Sequence, residues 1–348
     1  MEVVLVKNKK LINSISLPLG AIVTSKNFNL GDEITQEKSE AFKNFINSSF
    51  NDIPWLKDAI HLPIVGIGGT IRMISKIYRN LIGDNFKLQH QYILTCENFQ
   101  TVYDMLAPLS LKDRLGVKGI TKERADIVLG CLMTIRALMS YIDSKELVIN
   151  RYGIRQGLIF KQLDLPTHSV LDYSLCNLLT HFKLDEHHND RLKQSTLTLA
   201  NQLGINDPSS VNILKTISKL HQIGQVISYQ NVNKHTFHLL MNVQVNGLTP
   251  KEQLMCAYTV KLLDRFNIKL EHANVLNEPD LAHCKKLSLI LQLASYLTAL
   301  KQEFTSLHVK ENNIQIQFSH PIPSIYIGKL ETLSKLYTEV FNKKLMIH

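Results

Sequence analysis

The strongest constraint on this chain is a pattern that occurs twice: a short apolar run, a glycine turn, then an amphipathic helix. In "HLPIVGIGGTIRMISKIYRNL" a strand over Leu62 to Ile67 meets Gly66, Gly68 and Gly69, and a helix starts near Thr70. "KELVINRYGIRQGLIFKQL" repeats the order, with its turn at Gly153. Strands that deliver glycine turns to helix N-termini predict an α/β region reaching to about residue 163.

Other segments fit that frame. "MEVVLVKNKKLINSISLPLG" reads as a β-hairpin from Met1 to Leu17, turning at Asn8-Lys9-Lys10. The hairpin has no lead-in, so it is either an outer edge or the neighbour of something that belongs in front of it. Gln36 to Ile46 has helical spacing, and residues 97–116 read as two short helical pieces. "GITKERADIVLGCLMTIRALMSYI" predicts one long helix with Thr121 as N-cap and Arg124 in its first turns. Pro166 and the polar "PTHS" mark a boundary, after which Val170 to about Leu300 is almost wholly helical. "SLHVKENNIQIQFS" then predicts a hairpin turning at Glu311-Asn312-Asn313, and a last amphipathic helix follows Pro321 and Pro323. The expected organisation is α/β over 1–163, all-α over 164–300, and a small α+β tail over 301–348.

Charge narrows the partners. There are 39 Lys+Arg against 30 Asp+Glu, a formal net charge of +9, which favours anionic ligands such as phosphates and nucleotides. No dense basic run with interleaved aromatics is present, which argues against a dedicated nucleic-acid module. The 5 cysteines lie far apart without a CxxC pair, as reduced thiols of a cytoplasmic protein would. No run of about 18 apolar residues and no signal pattern occur, so a soluble, non-membrane protein is expected.

Gly66-Ile67-Gly68-Gly69-Thr70 is the sharpest chemical feature. Exposed amides at a helix start, with no Cβ in the way, admit a phosphate, and Arg72 and Lys76 add charge. The same sequence also suits an ordinary tight strand-to-helix turn. Arg155, inside the turn Gly153 to Gly157, could grip an anion bidentately, cap a carbonyl or meet a carboxylate. His187, His188, His221, His235 and His238 are scattered through the helical region. They are metal ligands or hydrogen-bonded helix residues, and Gln222 stands where a His-Asp dyad would need its acid.

Four segments in order, "SISLPLGAI", "VGIGGTIRMISK", "GITKERADIVLGCL" and "INRYGIRQGLIF", resemble the Ppx/GppA family of exopolyphosphatases and guanosine pentaphosphate phosphohydrolases. "LHQIGQVISYQNVNKHTFHLL" is similar to the degenerate HD-type helical domain of the family's long members. The resemblance implies two actin-like (ribonuclease-H-like) lobes around a phosphate cleft, followed by the helical domain. It implies polyphosphate or guanosine pentaphosphate as substrate, a Mg²⁺ ion bound with it, and a carboxylate of the first lobe that activates water. Carried onto this chain, the second-lobe loop would be Gly66, Gly68, Gly69 and Thr70 with Arg72 beside them. Glu2 and Arg155 would be secondary cleft contacts, and no catalytic base would lie in this chain.

The first lobe and most of the family's Asp-Ile-Gly-Gly-Gly-Ser-Thr-Glu stretch have no counterpart, and Met1-Glu2 falls where Thr-Glu would sit. The expectation is therefore an actin-like lobe lacking its central strand in an order 3-2-1-4-5, with the hairpin as strands 2 and 3. About five unmade backbone bonds at ~1–3 kcal/mol each would rival the stability of a whole domain. The hairpin should then re-pair with the 62–67 strand, borrow a strand, or fray. A separate N-terminal lobe could complete the sheet, and a homodimer is a further expected partner. Four readings stay open: a hydrolase active only when completed, a non-catalytic polyphosphate or guanosine-phosphate binder, the remnant of an interrupted gene, and last a metal-dependent HD hydrolase, against which Gln222 stands. Lys183, Arg191 and Lys193 are candidates for a polyanion surface or a solvated helix face.

Overall fold

A computed structural model describes residues 1–32, 34–86, 88–162, 169–300 and 304–347. They gather into two compact units. The first holds the described residues to 162 except Phe86 and Leu88; the second holds those two and everything described from 169 onward. The boundary expected at 163/164, with Pro166, lies outside the described residues.

In the first unit, β1 (Glu2–Lys7) and β2 (Lys10–Ser16) pair antiparallel. Asn8 and Lys9 both take positive φ, 51° and 64°, as a two-residue hairpin turn with the strand's own twist requires. The Met1 amino group donates to the Leu17 carbonyl at 2.7 Å, closing the open end. Leu5 is buried, while Val4, Val6 and Ile12 on the other side are half exposed. Among the described residues the two strands pair only with each other. The hairpin thus neither rejoins the 62–67 strand nor frays; it stands as a separate ribbon.

The main sheet has the order β3-β5-β4, built from β3 (Ile64–Ile67), β4 (Tyr92–Thr95) and β5 (Glu146–Asn150). β3 and β5 run parallel with Ile67 opposite Asn150, and β4 runs antiparallel to β5 with Ile93 opposite Val148. β4 is absent from the sequence reading. The helices are α1 (Ala21–Asn27), α2 (Gln36–Asn51), α3 (Gly69–Leu81), α4 (Cys96–Leu106), α5 (Leu111–Leu115), α6 (Val128–Tyr141) and α7 (Ile154–Gln162).

Side chains alternate across a strand, so the sheet has two distinct faces. Leu94, Leu147 and Ile149 are buried in one cluster with Ile74 and Ile77 of α3, Phe99 of α4 and Leu132 of α6. The opposite face is left exposed by the described residues and mixes apolar side chains with Thr95, Glu146 and Asn150. Val65, Val148 and Ile93 lie in one register row. Val65 is 57% exposed, Ile93 40%, and Ile67 in the next row 59%.

The long helix expected from Thr121 is shorter than its pattern. Thr121 precedes a 3₁₀ turn, Lys122–Arg124, without a side-chain cap, and α6 starts only at Val128. The cause sits on another element. Arg114 is fully buried, and its guanidinium donates to the carbonyls of Ala125 at 2.8 Å, Gly31 at 3.0 Å and Leu109 at 3.1 Å. Burial lowers its pKa, partly countered by Asp32 and Asp126 nearby. With the Ala125 carbonyl engaged by the guanidinium, the helical ladder begins only at Val128.

The second unit contains α8 (Val170–His181), α9 (Glu186–Gln202), α10 (Pro208–Leu220), α11 (Val232–Leu240), α12 (Pro250–Lys261) and α13 (Glu278–Ala299). Ser169, Asp185, Asp207, Thr249 and Asn277 each accept the first-turn amide of the helix that follows. These residue types are the strong N-caps, and they divide into separate helices what the sequence pattern presents as one helical stretch. A sheet ordered β6-β7-β8 follows, from β6 (Phe304–Val309), β7 (Asn313–Phe318) and β8 (Lys344–Ile347), with α14 (Ser324–Phe341) before β8. Ile314, Ile316, Leu333 and Tyr337 share the core of the helices, and the Tyr337 hydroxyl donates to the Leu289 carbonyl at 3.0 Å. No described helix is long and apolar enough to cross a membrane.

Candidate functional site

The three glycines of the β3–α3 turn serve different physical ends. A Cβ on Gly66 would sit 2.6 Å from Ile71 Cγ2 and 3.0 Å from Leu147 Cδ1, so this glycine lets helix and sheet close together. Gly68 has φ +137°, a conformation that L side chains rarely adopt, and a Cβ there would meet nothing within 4 Å. Gly69 opens α3, and its Cβ would fall 2.4 Å from an Nη atom of Arg124 and 2.8 Å from Cζ. The guanidinium therefore lies directly against the loop backbone.

Gly68 is the N-cap of α3 without a side-chain cap, and the first turn carries no acidic residue. The first amides of a helix have no partner within the helix and sit at the positive end of its dipole. Thr70 is half-buried beside them, and exposed Arg72 turns back so that Nε donates to the Gly68 carbonyl at 3.4 Å. Arg124 reaches the loop because the segment before it runs back along α3. Asn80 Nδ2, at the far end of the helix, donates to the Lys118 carbonyl at 2.9 Å. Gly119, with φ +110°, passes so close that a Cβ would be 2.9 Å from Asn80 Nδ2 and 3.4 Å from the Ile77 amide nitrogen. Arg124 forms no ion pair among the described residues.

Because β3 and β5 are parallel and in register, their carboxyl ends lie side by side. Open α/β sheets bind ligands at that end. The turn after β5 therefore leaves next to the glycine loop, carrying Arg151 and exposed Arg155, while Gln156 Oε1 accepts the Gly153 amide at 3.0 Å. His90 meets the same end: the Arg151 amide donates to its Nδ1 at 3.5 Å, and burial, then the charge of Arg151, lowers its pKa. Glu2, by contrast, is an exposed residue of β1 opposite Ser16, with no recorded contact to the loop. Sequence reasoning thus assembled Gly66, Gly68, Gly69, Thr70 and Arg72 but missed Arg124 as a loop residue. Its helix assignment pointed Arg124 along α6, and no local signal marks a contact made by tertiary folding.

The donor set is suited to an anion. Amides, a hydroxyl and guanidinium groups surround the loop, and no carboxylate touches it in any recorded contact. Among the described residues no group of three or more His, Cys, Asp and Glu converges on a common point. The residues present therefore do not fit a resident divalent ion, which would need oxygen ligands from carboxylates or carbonyls.

Comparison with known proteins agrees with this chemistry. The sequence profile of the Ppx/GppA phosphatase family matches residues 1–165, and that of Ppx/GppA phosphatase domain III matches residues 170–321. The chain belongs to the Ppx/GppA phosphatase family. It is 24% identical over 307 residues to a guanosine-5'-triphosphate,3'-diphosphate pyrophosphatase of Vibrio atlanticus, covering 85% of this chain and 58% of that protein. The Vibrio parahaemolyticus protein of the same name is 22% identical over 239 residues, covering 67% of this chain and 46% of the relative. The chain spans about half the length of these curated relatives. Among solved structures, the Aquifex aeolicus Ppx/GppA family member gives a TM-score of 0.42 at 22% identity, over 48% of this chain and 54% of that one. An exopolyphosphatase from Cytophaga hutchinsonii gives 0.43 at 17% identity, over 47% and 53%.

Proposed function

We propose that this chain holds the terminal phosphate of polyphosphate or guanosine pentaphosphate for hydrolysis of the phosphoanhydride bond. The observation that carries the reading is Arg124 packed against Gly69, beside the uncapped amides of α3. In the reaction, water attacks the terminal phosphorus, the bond to the bridging oxygen breaks, and charge collects on the peripheral and leaving oxygens. Amides and guanidinium groups fixed at those oxygens stabilise that charge without reorganising. Magnesium, as the resemblance implies, would travel on the phosphate chain's own oxygens, since the loop offers it no carboxylate.

The base that activates water is assigned to an actin-like partner lobe, because among the described residues no carboxylate contacts the loop. The apolar row Val65, Val148 and Ile93 supports a lobe or strand docking on this unit. The second unit is assigned as the degenerate HD-type domain, with Lys183, Arg191 and Lys193 as a surface for the polyanion. A cytoplasmic setting and a homodimer are further parts of the proposal.

Calorimetry with inorganic tripolyphosphate tests the loop. Binding should fall at least about tenfold in Arg124→Gln and in Gly69→Asp, the loss of one charged hydrogen bond. Equal affinity in both variants and the parent chain would take the loop out of the mechanism. Rapid phosphate release from long polyphosphate by this chain alone would refute the external base.

A further inference from the structure

The helical unit contains a cavity of about 340 Å³ where α10 ends, walled by His221, Gln222, Gln225, Asn233 and Gln292. Its lining includes no carboxylate, lysine or arginine, in a protein with a formal net charge of +9. We propose that this cavity binds the nucleobase of a free nucleoside or nucleotide. The proposal goes beyond the phosphate loop and does not depend on it.

Hydrogen-bonding capacity argues for that class of ligand. His221 is buried at the end of α10, its ring against the backbone of Ile217 and Ser218, so the amide side chains carry the reading. Asn233 spends its amide donor on Asp264 at 2.7 Å, leaving its carbonyl oxygen as an acceptor. Gln292 donates to the Tyr296 hydroxyl at 3.2 Å and likewise keeps its oxygen. Gln222 and Gln225 have no side-chain hydrogen bond among the described residues, so each offers both a donor and an acceptor. Burial lowers the His221 pKa to about 4, so its neutral ring adds no charge to the wall.

The competing classes fail on the same grounds. A phosphate or carboxylate would find no cation in the wall, and a divalent ion would find a single imidazole without acidic company. A nucleobase is neutral and planar and presents adjacent donors and acceptors, the edge that Asn and Gln amides read bidentately. Leu263 and Leu291 give its faces apolar contact, and the volume lies in the range of about 300–1,000 Å³ typical of small-molecule sites.

The test is calorimetric titration of the full chain with adenosine, guanosine, cytidine and uridine, and with a trinucleotide of the preferred base. One nucleoside should bind with 1:1 stoichiometry. Gln222→Ala and Gln225→Ala should each weaken it about tenfold, the equivalent of one lost hydrogen bond. Near-UV circular dichroism and tripolyphosphate affinity should match the parent, which separates loss of this cavity from loss of fold or of the phosphate loop. Absence of nucleoside binding at millimolar concentration overturns the proposal. So does binding untouched by both variants, or binding of the trinucleotide alone.

Discussion

A single side chain can report how tightly the helical unit is closed, and His221 does so through its proton. Burial is the main cause that lowers its pKa from about 6.5 to about 4, and the charge of nearby His188 acts in the same direction. Between those values the unfolded chain takes up a proton at this position that the folded chain refuses. Stability is therefore full above about pH 6.5 and is lost as pH falls toward 4. From about pH 7 to pH 5 the loss assignable to this residue is about 2 kcal/mol. Urea melts at the two pH values should show a drop that shrinks by that amount in His221→Asn. An equal drop in both proteins would mean that His221 is already accessible to solvent protons. The glycines teach the matching lesson about reading a motif: "GIGG" is one string in the sequence. Its members answer to helix–sheet contact at Gly66, backbone conformation at Gly68 and a tertiary arginine at Gly69.

Elements were legible wherever their determinants are local. Asn8-Lys9 turns the hairpin, and 170–300 read as helical as a whole, although the starts set by Ser169, Asp207 and Asn277 were not separated. The strand–glycine–helix order placed β3, β5 and the loop between β3 and α3. β4 and β8 escaped although they are no shorter than β3, because neither leads through a glycine turn into a helix. The start of α6 escaped because Arg114 decides it from another part of the chain. Gly130 in α6 is a second tertiary decision. A Cβ there would lie 2.6 Å from Ser25 Oγ and 2.9 Å from Thr24 Oγ1, where α1 crosses. Overpacking costs about 1–3 kcal/mol, and the better helix propensity of alanine returns up to about 1 kcal/mol. Gly130→Ala should therefore destabilise by about 1–2 kcal/mol in urea melts. Ser25 Oγ is buried without a partner, so Ser25→Ala removes the obstacle at little cost of its own. In that background most of the loss should vanish. An unchanged penalty would show that the Thr24 hydroxyl or the Ser25 backbone, and not the Ser25 hydroxyl, sets the helix spacing.

At the scale of the molecule, one question is what covers the exposed face of the β3-β5-β4 sheet. Sheets with parallel strands are normally covered on both faces, and here helices cover one while Val65, Ile67 and Ile93 face solvent on the other. α7 adds Ile154, 81% exposed, and Leu158, 61% exposed, without burying any residue of its own. An apolar surface of this kind marks a docking site or an aggregation liability. The proposed occupant is a partner lobe that also brings the water-activating carboxylate. Without it, the chain should bind a hydrophobic dye and self-associate as its concentration rises. Val65→Lys combined with Ile93→Lys should suppress both, because a lysine on an open sheet face is solvated at once but opposes apolar docking. Tripolyphosphate affinity should stay within about twofold, since neither side chain belongs to the loop. A parent chain that is already monomeric and dye-negative at high concentration would mean this face is stable in water by itself. The reason to look for a separate lobe would then be gone, and the missing base would have to be sought within this chain.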